Sequence, residues 1–190
     1  MSAPPIEHAI LDRDGVLNRE LEDGWLAEPE QWQWETGSLE ALRRLTELGV
    51  RISVVSNQSG LGRGAVTREQ VEGGHRWLTD ELRAAGVELS GIYVCPHAPE
   101  EGCECRKPRP GLVRQALSVA GISAQRSVLI GDDKRDLEAG RAAGVRVALV
   151  LTGKGREVRS QIGPDTLLFE NLFEAVEAIF GTETGASGVT

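Results

Sequence analysis

Several things are scarce in this 190-residue sequence, and each scarcity removes a class of function. No apolar run approaches the ~20 residues that a membrane-spanning helix needs. The leader Met1–His8 lacks the charged and apolar regions of a secretory signal, so the expected location is the cytoplasm. Basic residues are in deficit, with 21 Lys and Arg against 29 Asp and Glu and a formal charge of −8. Neutralising a phosphate backbone, or docking on an anionic membrane, needs a basic face, so neither nucleic acid nor membrane is expected as a partner. Only three cysteines occur, all between Cys95 and Cys105, which is no even disulfide set. In a reducing compartment such a cluster reads as metal-binding or redox-active. There is no internal repeat, and low complexity is confined to the small, polar tail 181–190, which is expected to be flexible.

What is present is alternation. Short apolar runs predict strands at His8–Asp12, Val50–Val55, Ile92–Val94, Ser127–Ile130 and Val145–Leu151. Between them lie helical patterns. One starts at Ser38 as N-cap and carries Leu39, Leu42, Leu45 and Leu48 before Gly49 stops it. A second has a Thr67/Gln70 capping box and the apolar positions Val71, Leu78 and Leu82, weakened by Gly73 and Gly74. Others run from Pro110, as a first-turn residue, to Ala120, around Leu137–Ala143, and from an Asn171/Glu174 cap with Leu172, Val176 and Ile179 on one face. Strict alternation predicts one doubly wound α/β domain over residues 1–180, its parallel sheet covered on both faces. Ligands of such sheets bind beyond the carboxyl ends of the strands. Polar clusters follow three strands, at Asp12/Asp14, Ser56/Asn57 and Asp132/Asp133.

Two carboxylates one residue apart repel unless a cation or a shared proton sits between them. Asp12 and Asp14 therefore suggest a metal site, a nucleophile with a general acid, or both; an Asp-rich turn capping a helix is the plainer alternative. Asp132, at another strand end of the same sheet, shifts the balance towards a hard cation such as Mg²⁺, which takes one or two carboxylates plus waters and phosphate oxygens. Ser56 and Lys107 add a hydroxyl and an ammonium suited to a phosphoryl group. In the eleven-residue stretch Cys95–Cys105, Cys95-Pro96-His97 and Cys103-Glu104-Cys105 supply three thiolates and an imidazole, a complete tetrahedral set for structural Zn²⁺. A redox pair would need C-x-x-C spacing instead. Such a site would stiffen the loop that delivers Arg106 and Lys107.

Asp12-x-Asp14-Gly15, Ser56, Lys107 and Gly131-Asp132, in this order, resemble the four motifs of the haloacid dehalogenase (HAD) superfamily, over Ala9 to Leu151. The resemblance implies a phosphatase in which Asp12 attacks phosphorus and Asp14 protonates the leaving alkoxide and then activates water. It also implies Mg²⁺ held by Asp12, the main-chain carbonyl of Asp14, and Asp132. An Asp at position 14 favours a phosphatase over a dehalogenase. With the zinc loop, the chain further resembles the D-glycero-D-manno-heptose 1,7-bisphosphate phosphatases and their histidinol-phosphate phosphatase relatives. The segments Leu11–Gly15, Ser56–Gly64 and Cys105–Gly111 point to the heptose branch. That family pattern implies hydrolysis of the 7-phosphate of a small phosphorylated sugar. Short loops with no obvious cap domain suggest an open site that such a substrate reaches in a monomer. Lys107 and Ser56 would serve the phosphoryl group. Arg13, Asp23, Gly24, Trp25, Asn57, Gln58, Ser59 and Arg106 would face the substrate. A histidinol-phosphate phosphatase and a non-catalytic zinc-stabilised binding module are the rival readings.

Two positions depart from the family pattern. Where Lys commonly follows the fourth-motif Asp, this chain has Asp133 and then Lys134, so either Lys134 substitutes or the pocket's preference differs. The stretch between His97 and Cys103 is also short. Trp32 and Trp34 read as a short strand packed on the core or as a flap beside the site, His75 as a surface residue on its helix, and Arg63 as a contact for a second phosphate.

Overall fold

The computed structural model describes residues 4–21, 25 and 28–181. Asp23, Gly24 and the tail beyond Gly181 lie outside them. Six parallel strands form one sheet: β1 (His8–Leu11), β2 (Arg51–Asn57), β3 (Gly91–Cys95), β4 (Ser127–Gly131), β5 (Arg146–Val150) and β6 (Leu167–Phe169), in the order β3-β2-β1-β4-β5-β6. The chain winds outward from β1 through β2 to β3, then restarts beside β1 with β4. Strand order reverses between β1 and β4, and the crevice beyond their carboxyl ends is where a doubly wound sheet receives a ligand.

Side chains alternate across the sheet with period two. Ala9 and Leu11 of β1, with Val54, Val128 and Ile130, face one layer. That layer holds α1 (Ser38–Glu47), α3 (Arg68–Ala84) and α7 (Leu172–Phe180), through Leu42, Leu45, Leu78, Leu82 and Val176. Ile10, Val55 and Leu129 face the opposite layer, made by α4 (Gly111–Ala120) and α5 (Lys134–Ala143). Ile10 and Leu42 are fully buried, and truncating either to Ala costs about 2–5 kcal/mol at such sites. At the amino ends of the strands, His8 bridges β2 and β4: its Nε2 lies 2.9 Å from Ser53 Oγ and its Nδ1 3.3 Å from Ser127 Oγ.

Several boundaries differ from the expectation for local reasons. Gly37, with positive φ, caps α1, because the hydroxyl of Ser38 is taken by the carbonyls of Leu17 and Glu35. β2 runs on through Ser56 and Asn57, which pair with Val94 and Cys95 of β3. Pro110 is the N-cap of α4 rather than its first residue. α5 starts at Lys134 because Asp133 accepts from the Arg135 N–H and forms a capping box with Asp136. The Thr67/Gln70 box does cap α3, and Gly73 and Gly74 sit within that helix. The sheet also gains β6, and two single-turn helices, α2 (Ser59–Gly62) and α6 (Gly155–Val158), follow β2 and β5. Trp32 and Trp34 form no strand beyond an isolated bridge from Trp34 to Asn18; they pack on the core in a cluster with Trp77.

Candidate active site

The register of the sheet brings Asp12 to the centre. Leu11 pairs with Val54 and with Ile130, so the next residue stands at the mouth of the crevice, where its N–H donates to the Ile130 carbonyl at 3.0 Å. Its Oδ1 accepts from the Arg13 N–H at 2.7 Å and from Lys107 Nζ at 2.7 Å. The Lys107 ammonium, 2 % exposed, has three protons and three acceptors: Asp12, Asp136 Oδ1 at 2.6 Å and the Val55 carbonyl at 3.0 Å. Asp132, at the end of β4, accepts from the Lys154 N–H at 2.8 Å. Gly15 and Gly153 close around it, since a Cβ on either would lie 2.0 Å from Asp132 Oδ2.

Carboxylate oxygens of Asp12, Asp132 and Asp136 lie within 4.8 Å of one another, and all three residues are buried. Three buried carboxylates beside one ammonium leave an excess of negative charge that a hard divalent cation would neutralise, so this donor set fits Mg²⁺. The third carboxylate of the cluster is one that the sequence did not single out. Asp136 belongs to the cluster, whereas the Asp14 side chain is turned aside. Arg13 chelates Asp14 through Nε at 3.2 Å and Nη2 at 2.9 and 3.0 Å, and Asn18 Nδ2 (3.0 Å) and Gln58 Nε2 (3.3 Å) donate to it as well. Arg13 is 3 % exposed and does not line the cavity, so its place is behind Asp14 and not against a substrate.

Electrostatics separate the carboxylates. Burial, reinforced by the neighbouring Asp136 charge, pushes Asp12 up to about 7 despite Lys107. Asp132 is raised by burial and then by Asp12 and Asp136. Burial would raise Asp14 too, but the Arg13 guanidinium and the Asn18 amide hold it below the ordinary carboxylate range. Burial works against the Lys107 charge, yet Asp12 and Asp136 override it and keep the ammonium protonated.

A cavity of about 140 Å³ opens over these groups. Of the anticipated residues it is lined by Asp12, Asp14, Ser56, Lys107 and Asp132, and by Trp25, Asn57, Gln58, Ser59 and Arg106. Glu20, Leu21, Asp133, Arg135, Asp136 and Lys154 line it as well. Lys154 pairs with Glu20 across the mouth, and Arg135 pairs with Asp133 at 2.7 Å. Lys134 turns to Glu138 instead, and Arg63 to Glu100. His75 is partly buried rather than on the surface, with Nε2 enclosed and no partner among the described residues. Burial, with the Arg13 charge nearby, lowers it to about 4.

Beside the cavity, Cys95, His97, Cys103 and Cys105 converge. Four of their edges measure 3.3–3.6 Å: Cys95 Sγ to His97 Nδ1 and to Cys103 Sγ, and Cys105 Sγ to His97 Nδ1 and to Cys103 Sγ. A tetrahedron with Zn–S of about 2.3 Å and Zn–N of about 2.0–2.1 Å has edges of roughly 3.6–3.8 Å, so the four ligands are arranged to fit one zinc ion. The loop also holds Arg106, whose Nη1 donates to the His97 carbonyl at 3.3 Å.

A HAD-hydrolase-like family model matches residues 104–175. A D-glycero-β-D-manno-heptose-1,7-bisphosphate 7-phosphatase of Neisseria meningitidis serogroup B is 37 % identical over 179 residues, 92 % of this chain and 95 % of that protein. The enzyme of the same name from Pseudomonas aeruginosa is 37 % identical over 171 residues, 90 % of this chain and 96 % of its own. The crystal structure of D,D-heptose 1,7-bisphosphate phosphatase from B. bronchiseptica, complexed with magnesium and phosphate, superposes with a TM-score of 0.87 at 34 % identity, covering 93 % of this chain and 99 % of that one.

Proposed function

Since the chain belongs to the D-glycero-β-D-manno-heptose-1,7-bisphosphate 7-phosphatase family of HAD-like hydrolases, we propose that it removes the 7-phosphate of that heptose bisphosphate with Mg²⁺ as cofactor. The observation that carries this reading is the convergence of Asp12, Asp14, Ser56, Lys107 and Asp132 on one cavity from the ends of separate strands and loops. Asp12, Asp132 and the main-chain carbonyl of Asp14 hold the metal, with Asp136 beside them. When bound, Mg²⁺ neutralises the carboxylates and lets a phosphate dianion approach them.

Oδ1 of Asp12 is occupied by two donors, which leaves Oδ2 as the attacking oxygen. As the new O–P bond forms, the bond from phosphorus to the sugar oxygen breaks, and that oxygen takes a proton from Asp14. Arg13 holds Asp14 below the ordinary carboxylate range, so the proton it donates is one it takes up from solvent as the incoming dianion raises its proton affinity. Water then gives a proton to Asp14 and attacks phosphorus, releasing inorganic phosphate and Asp12. Lys107 and the Ser56 hydroxyl steady the phosphoryl oxygens throughout. Arg106, with no carboxylate partner among the described residues, and Trp25, Gln58 and Ser59 face the sugar.

The same reading assigns one structural Zn²⁺ to Cys95, His97, Cys103 and Cys105, holding the loop that carries Arg106. It makes residues 1–180 one catalytic unit, proposed to act as a monomer. It also places the enzyme in the cytoplasm, where thiols stay reduced. No helix among the described residues is long and apolar enough to cross a membrane.

The test is phosphate release from the α- and β-anomers of the heptose bisphosphate and from histidinol phosphate, with EDTA and after Mg²⁺ is restored. The β-anomer is expected to give the highest kcat/KM, and Asp12→Asn to lower kcat by at least about 10³-fold. Metal-independent release, or an active Asp12→Asn, refutes the mechanism.

A further inference from the structure

We infer that Asn57 is a positioning residue for Lys107, locking the exit of the cysteine loop onto the sheet so that the ammonium reaches Asp12. Its side-chain Oδ1 accepts the Lys107 N–H at 3.1 Å and its Nδ2 donates to the Lys107 carbonyl at 3.0 Å. Both main-chain polar groups of one residue are thus taken by one amide. The pairing admits only one amide orientation, because an N–H must meet the oxygen and a carbonyl the nitrogen.

Asn57 is well placed to do this. It is the last residue of β2 and pairs in register with Cys95, the first cysteine of the loop, whose carbonyl accepts the Gln58 N–H at 2.8 Å. Lys107 follows two residues after Cys105. The chain leaves the sheet beside Asn57, passes through the four converging ligands and is tied back to Asn57 on its return. Two residues before Asn57, the Val55 carbonyl accepts from Lys107 Nζ. One strand end therefore holds Lys107 at both its backbone and its side-chain tip. The sequence had suggested Asn57 only as a substrate contact. It does border the cavity, yet both polar ends of its side chain are engaged with Lys107.

The inference rests on the phosphatase reading and is tested within it. The parent, Asn57→Ala, Lys107→Ala and the double variant are assayed on the heptose bisphosphate and on p-nitrophenyl phosphate, which has no sugar to contact. A misplacement of about 1 Å at a catalytic group costs up to about 10²-fold. Asn57→Ala should therefore lose about 10- to 10²-fold in kcat, equally on both substrates, with KM nearly unchanged. In the Lys107→Ala background, where no ammonium remains to be placed, removing Asn57 should cost less than about twofold more. A loss confined to KM for the sugar, or losses that multiply in the double variant, overturns the inference. Unchanged zinc content and tryptophan emission in Asn57→Ala show that the fold is kept; Asn57→Asp, which keeps the acceptor for the N–H but sets an oxygen against the carbonyl, is the alternative if alanine does not fold, and it must show the same substrate-independent loss in kcat. A parent that releases phosphate from neither substrate refutes the phosphatase reading itself.

Discussion

Replacing Gly15 with alanine isolates how tightly the metal-ligand carboxylate is held. Gly15 has φ of +82°, and an added Cβ would stand 2.0 Å from Asp132 Oδ2, 2.6 Å from its Cγ and 3.1 Å from the Gly153 Cα. Real Cβ contacts essentially never fall below 3.0 Å, so Asp132 must retreat by about 1 Å. Its retreat is obstructed, because Gly153 approaches from one side and the Lys154 N–H holds Oδ2 at 2.8 Å. A shift of this size in a positioned group costs about 10²-fold in rate. The left-handed backbone adds about 1 kcal/mol or a little more for any residue with a Cβ, and a chain of this size loses about 2–4 °C of Tm per kcal/mol. Gly86 supplies the control. Its φ of +79° is nearly the same, but an added Cβ meets nothing within 4 Å. Gly86→Ala should show only that small drop in Tm with activity and apparent Mg²⁺ affinity kept, whereas Gly15→Ala should lose more Tm and about 10²-fold in kcat/KM. The assays are differential scanning calorimetry and Mg²⁺-dependent phosphate release. If the two variants are equally active, Asp132 is not caged as described.

Three further outcomes follow. Metal analysis should find one zinc per chain, and Cys105→Ser should lose it, raising KM because Arg106 leans on the His97 carbonyl and lowering kcat because the same loop returns Lys107 to Asp12; a zinc-free but fully stable parent would sink that assignment. His8, lowered from 6.5 to about 4 by burial and then by Arg51, takes up a proton more readily when unfolded. Its contribution is therefore complete above about pH 6.5 and falls away towards pH 4, by about 3 kcal/mol, and His8→Gln should flatten that part of the Tm–pH curve or the burial argument fails. Lys134→Ala should leave KM for the bisphosphate unchanged, since Lys134 turns to Glu138, whereas Arg135→Ala should raise it; the reverse result would return the substrate contact to Lys134.

Much of the fold was legible because its signals are local. Short β-branched runs marked five of the six strands, and the rule that ligands lie beyond strand ends directed attention to Asp12, Ser56 and Asp132. β6 escaped because three residues, one of them exposed, are too few to show a period. Lys154 could have been found by the same rule, since it follows β5 as Asp132 follows β4, but the Thr152-Gly153-Lys154 turn carries no carboxylate to draw the eye. The His75 assignment failed against a signal that was present. Val71, His75, Leu78 and Leu82 are spaced four, three and four apart, so the histidine stands on the buried stripe of α3.

Asp136 and Asn57 were harder for a different reason. Their neighbours in sequence placed them near the site, but not against Lys107. Asp136 is buried against Lys107 only because α5 begins at Lys134, which turns its third residue back over the end of β4; beginning that helix at Leu137 would leave the same aspartate in a solvated turn. Asn57 acquires its role from a residue fifty positions later, through a loop whose return path is set by four converging side chains. Net charge hid the result in the same way. A chain of −8 handles phosphate dianions because its cations are placed by distant partners: Lys107 by Asp12, Asp136 and Val55, and Arg106 by His97. A formal count assigns every charge equal reach, whereas a buried ammonium with three fixed acceptors acts at a few ångströms in a low-dielectric crevice, and surface carboxylates are screened within roughly 10 Å.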